Sequence, residues 1–87
     1  MKYRGRTEIV GNILDAANGG ATKTKIMYKS FISYGQLKEY LLVLIENNLI
    51  EYLDVVHKLK TTEKGLNFLK MYNQIGELLL TKSKITN

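Results

Sequence analysis

Apolar positions recur along this chain first at a helical period, then at a β period, then at a helical period again, with no proline to interrupt them. Ile9, Val10, Ile13, Leu14 and Ala17 share one face of a helix from about Thr7 to Ala17, and Asn18-Gly19-Gly20 supplies residues that tolerate positive φ and end it. Thr22 suits the N-cap of a short second helix in which Ile26 and Met27 turn inward while Lys23, Lys25 and Lys29 stay in water. Phe31 and Ile32 are expected to anchor the turn that follows.

The third helix is the best-marked element. Ser33-Tyr34-Gly35-Gln36 has capping-box spacing, so the serine hydroxyl and the glutamine amide can satisfy each other's backbone donors. At 100° per residue Leu37, Leu41, Leu44 and Ile45 fall on one face flanked by Tyr34 and Tyr40, and Asn47-Asn48 ends the helix. Residues 49–53 and 55–61 are rich in β-formers, and Lys58, Leu59, Lys60 and Thr61 alternate, which predicts a hairpin turning near Asp54.

Thr62 can cap a last helix from Glu63 to about Leu80, and this one has two apolar stripes. Phe68, Met71, Ile75 and Leu78 form one, with the three-four-three spacing of a short coiled-coil seam; Leu69, Tyr72, Gly76 and Leu79 form the other. One broad core-facing helix would also account for them. A domain this small cannot easily cover both stripes, so one is expected against the domain and the other against a second copy.

Length and charge sharpen this outline. Eighty-seven residues allow one small domain with a limited core. The net charge of +5 is unevenly placed: residues 1–38 carry seven Lys or Arg against two acids, and residues 39–87 six against six. A localised basic excess favours phosphate or another anionic surface. Without cysteine there is no disulfide framework or thiolate site, and no apolar run is long enough for a membrane, so a cytoplasmic, nucleoid-associated location is expected.

Little in the sequence supports catalysis, a cofactor or a metal. His57 is the only histidine, no serine or carboxylate stands at a spacing that defines a nucleophile or an acid-base pair, and Gly19-Gly20 follows a helix without the context of a phosphate loop. A non-enzymatic binding module is therefore expected.

Two short helices, a polar ribbon and a longer helix outline a winged helix-turn-helix, mainly α with a small β-hairpin (α+β) and an extended C-terminal dimerisation helix. The expected parts are a basic N-terminal arm over 1–6, the winged core over 7–62, the dimerising helix over 63–80 and a flexible tail over 81–87. The order of elements, with the phrases Lys23-Thr24-Lys25-Ile26-Met27-Tyr28, Ser33-Tyr34-Gly35-Gln36-Leu37, Leu49-Ile50 and Thr62-Glu63-Lys64-Gly65, resembles the small archaeal winged-helix DNA-binding proteins. The resemblance covers about residues 6–80. It implies binding of double-stranded DNA by helix three and the wing, a regulatory or architectural role, and a homodimer formed by C-terminal helices. A last helix ending near Leu80 is short for that family's coiled coil and predicts a compact pairing instead.

Helix-turn-helix docking sets the candidate contacts, because the first turns of the second helix of the pair enter the major groove. Ser33, Tyr34, Gln36 and Lys38 stand there, and Gln36 can meet an adenine edge unless the capping box occupies it. Lys23, Lys25 and Lys29, Lys58 and Lys60 in the ribbon, and Arg4 and Arg6 in the arm are candidate phosphate or groove contacts. Phe68, Met71, Tyr72, Ile75, Leu78 and Leu79 are the candidate dimer contacts. Leu42, Val43 and the apolar tip at Val55 fit DNA poorly and support a competing reading, a winged-helix module that binds another protein.

Overall fold

Four helices and one antiparallel hairpin follow in the order α1 (Arg6–Ala16), α2 (Lys23–Ser30), α3 (Tyr34–Glu46), β1 (Ile50–Leu53), β2 (Lys58–Thr61) and α4 (Glu63–Thr86). The computed structural model describes the backbone of residues 5–86 and the side chains of residues 5–76.

Local chemistry explains most of the boundaries. The Thr22 hydroxyl accepts from the Lys25 N–H at 3.2 Å and starts α2. At α3 the capping box is complete: the Gln36 N–H donates to Ser33 Oγ at 3.2 Å and the Ser33 N–H to Gln36 Oε1 at 3.1 Å. Gly19 and Gly20, at φ 86° and 104°, turn the chain after α1.

Ile13, Leu14, Ile26, Leu37, Leu44, Ile50 and Leu59 are buried essentially completely and join α1, α2, α3 and the hairpin into one core. The hairpin pairs Ile50 with Thr61 and Leu53 with Lys58, and β2 alternates as expected, with Leu59 and Thr61 inward and Lys58 and Lys60 in water. Ala21 and Leu59 exchange two backbone hydrogen bonds of 2.8 Å, which adds the segment before α2 as a third rung of the sheet.

Buried Thr61 ties β2 to α1. Its hydroxyl donates to the Leu14 carbonyl at 2.6 Å and its N–H to the Ala17 carbonyl at 3.2 Å, so the strand satisfies carbonyls that the last turn of α1 leaves without helical partners. Thr61→Val keeps the volume and removes the hydroxyl donor. The expected loss is about 2 kcal/mol in urea unfolding, from a buried carbonyl left unpaired.

Several expectations need correction. Ile45 is 40% exposed because the buried face of α3 is centred on Leu37, Leu41 and Leu44, and Ile45 falls at its edge. Ile32 enters the core, but Phe31 does not anchor the turn: as the left-handed cap of α2, at φ 55° and ψ 48°, it reverses the chain and carries its ring outward. The second strand begins at Lys58, since Val55, Val56 and His57 close the turn despite their β propensity. Arg6 is the first residue of α1, not part of an arm.

The largest difference is α4, which has 24 residues and runs to Thr86. Residues 81–86, expected as a tail, continue the helix, and the premise of a short last helix falls with it. At 1.5 Å per residue α4 is about 36 Å long. Its two stripes separate only in part over the described side chains: Leu69 is buried and Tyr72 packs on α1, while Met71 and Ile75 are 59% and 57% exposed. Tyr72, expected at a dimer contact, therefore faces its own α1, where a Cβ added at Gly11 would stand 3.0 Å from its ring. Phe68, also expected at a dimer contact and in the outer stripe, is instead half-buried, packed against the core and stacked on Tyr72 with centroids 6.5 Å apart. The side chains of Leu78 and Leu79 lie outside the described residues, as does Arg4.

Candidate nucleic-acid interface

A turn of three residues, 31–33, joins α2 to α3, so Lys29, in the last turn of α2, lies close along the chain to the start of α3. Lys23, Lys25 and Lys29 are exposed, and α2 contains no acid. The first turns of α3 present Ser33, Tyr34, Gln36 and Lys38, also exposed. Lys38 Nζ lies 5.9 Å from the centroid of the Tyr34 ring, one helical turn earlier, which directs this cation toward the start of the helix.

Pairing of Ala21 with Leu59 brings the wing to the entrance of α2. It sets β2 beside the residues that lead into α2, and the Lys58 stem passes 4.0 Å from where a Cβ on Gly20 would stand. Lys60 lies on the same face of the strand as Lys58. Lys58 thus stands beside the residues that lead into α2, although more than thirty residues separate them in sequence.

Gln36 is less available than its position suggests. Its Oε1 accepts from the Ser33 N–H at 3.1 Å and lies 3.4 Å from the Ser33 hydroxyl, so a bidentate contact to a base requires the cap to open. Farther along α3, Glu39 and Glu46 are exposed and repel phosphate. Arg6 borders a shallow groove of about 280 Å³ between α1 and α3 that Glu39, Tyr40 and Val43 also line.

The wing tip carries no lysine or arginine. Val55 is 93% exposed and Val56 53%, beside exposed Asp54. His57, at φ 52°, shares a hydrogen bond of 3.1 Å between its Nδ1 and the Tyr52 hydroxyl, which braces the turn against β1. Any contact of the ribbon with phosphate falls to the strand cations.

Two features escaped the sequence reading. The exposure of Phe31 depends on a left-handed cap for which Phe gives no signal, whereas the spacing of Thr24, Met27, Tyr28 and Phe31 was there to be read. Among the described residues no group of His, Asp and Glu could hold a metal ion, and no helix is long and apolar enough to cross a membrane.

The model of the winged helix-turn-helix family matches residues 3–80. This chain belongs to that family. The winged helix-turn-helix also aligns with the crystal structure of Sso10a-2, a DNA-binding protein from Sulfolobus solfataricus, at 27% identity and a TM-score of 0.72, covering 95% of this chain and 94% of that one. No curated protein matches it. In winged helix-turn-helix terms α2 and α3 are the helix-turn-helix and the β1–β2 ribbon is the wing.

Proposed function

We propose that this protein binds double-stranded DNA as a homodimer and serves as a small transcriptional regulator or architectural chromatin-type protein. The observation that carries the reading is the near full-length likeness to Sso10a-2, a DNA-binding protein, in a chain whose lysine-bearing α2 opens beside β2 and leads through a three-residue turn into α3.

The first turns of α3 enter the major groove with Tyr34 and Lys38 toward base edges and phosphates, and Ser33 holds the helix start. Lys23, Lys25, Lys29, Lys58 and Lys60 contact the sugar-phosphate backbone and position the duplex without reading sequence. Gln36 keeps its capping role in the free protein. The exposed side chains of Met71 and Ile75 form the dimer seam, while the opposite stripe holds α4 on α1.

Each lysine that neutralises a phosphate contributes to the salt dependence of binding. Lys25→Ala and Lys29→Ala are each expected to weaken binding to every duplex sequence and to flatten the plot of log affinity against log salt by roughly one unit. Unchanged slopes in both variants would take α2 out of the interface.

A second reading, a winged module that captures another protein, is favoured by one observation. Leu42 on α3 is 71% exposed and Val55 at the wing tip 93%, and neither suits a phosphate surface. Duplex binding separates the two readings.

A further inference from the structure

Helix α2 is apolar on a second side that faces solvent. Ile26 and Ser30 are buried, whereas Thr24, Met27, Tyr28 and Phe31 stand at i, i+3, i+4 and i+7 and share another face. Met27 reaches the core, but Tyr28 is 77% exposed and Phe31 82%. The two rings line both of two shallow grooves, one of about 450 Å³ toward Thr24 and Ile32 and one of about 440 Å³ toward Asn12 and Asp15 of α1.

The ring at position 31 is presented from an unusual backbone. Its backbone is left-handed, a conformation that glycine or asparagine adopts more readily, and bulky residues held there concentrate at functional sites. The turn is thus closed by a residue whose side chain costs it conformational ease and stands in water. Lys25, one turn before Tyr28, and Lys29, next to it, make the surroundings cationic, with Asp15 the one acid bordering these grooves.

We infer that this lysine-flanked aromatic ridge binds single-stranded DNA, with Tyr28 and Phe31 stacking on unpaired bases and Lys25 and Lys29 neutralising the neighbouring phosphates. A duplex offers proteins its base edges and phosphates, because its base faces are already stacked on each other. An unpaired strand exposes those faces, and aromatic side chains between cations are the surface that takes them. This activity goes beyond the duplex reading and draws on two of the same lysines, so duplex and single strand compete for the protein.

Labelled oligodeoxythymidine and a mixed-sequence duplex, titrated with the full chain in one buffer, test it. Tyr28→Ala and Phe31→Asn, the latter chosen because asparagine keeps the left-handed cap, are each expected to weaken oligonucleotide binding about tenfold and to change duplex binding less than about twofold. Circular dichroism melts check that both variants fold. Wild-type binding of the duplex with none of the oligonucleotide would overturn the inference and reassign the ridge to a protein partner. Oligonucleotide binding that neither variant weakens would overturn it in favour of lysine electrostatics alone. Failure to bind either nucleic acid would overturn the duplex reading along with it.

Discussion

Gly65→Ala is expected to destabilise the protein by about 3 kcal/mol or more, at the upper end of what overpacking usually does. Gly65 is buried in the first turn of α4, against the end of α3. A Cβ built there overlaps the Leu49 carbonyl oxygen and stands 2.6 Å from Thr61 Cγ2. The first obstacle is backbone, so no rotamer change relieves it. That carbonyl also accepts the Thr62 N–H at 3.0 Å, and the Thr62 hydroxyl donates to the Asn48 carbonyl at 2.6 Å while accepting from the Gly65 N–H at 3.1 Å. Lys64 adds a bond of 3.0 Å from its Nζ to the Asn47 carbonyl. Moving α4 away to admit a methyl would break this junction between the helix-turn-helix and the last helix.

A loss of that size lowers the melting temperature of a domain of this length by roughly 15 °C. Gly76 is the control, because a Cβ there meets nothing within 4 Å. Gly76→Ala should gain about 0.5 to 1 kcal/mol from helix propensity alone. Equal melting temperatures for wild type and Gly65→Ala would contradict the close approach of α4 to Leu49.

Substituting Met71 and Ile75 together by glutamine should turn a dimer into a monomer and weaken duplex binding about a hundredfold through lost bivalency. Glutamine is a good helix former and adds no charge, so neither α4 itself nor the electrostatics of DNA binding is altered. Leu69 and Tyr72 remain to hold α4 on α1, and the fold should survive. Light scattering reads the mass. A dimeric double variant would place the seam elsewhere, and a monomeric wild type at the same concentration would remove it.

Much of the fold was legible because its signals are local. Ser33 and Gln36 announced the start of α3 by their spacing, and both hydrogen bonds of the box are present. The alternation from Lys58 to Thr61 gave the buried face of β2. What escaped depends on partners distant in sequence or on backbone that the residue type does not advertise. Phe31 looked like an apolar anchor, and only its left-handed conformation turns it outward. Ile45 shared a wheel face with Leu44 but lies beyond the reach of the core. The close approach of Gly65 to Leu49 is tertiary and leaves no mark in either segment.

The site divides the same way. Its lysines could be named from charge and periodicity, yet the meeting of β2 with the entrance to α2 rests on the Ala21–Leu59 bridge between segments that show no pairing signal in sequence. The availability of Gln36, open in the sequence, is limited by the cap it completes.

Duplex binding is read out by titration of a mixed-sequence duplex over a salt series, with the mass of the protein recorded in the same buffers. A dimer is expected whose affinity falls with a slope of about −4 or steeper in log–log form, since each of several lysines releases close to one counterion. Absence of binding even at about 50 mM salt, where phosphate contacts are strongest, would contradict it.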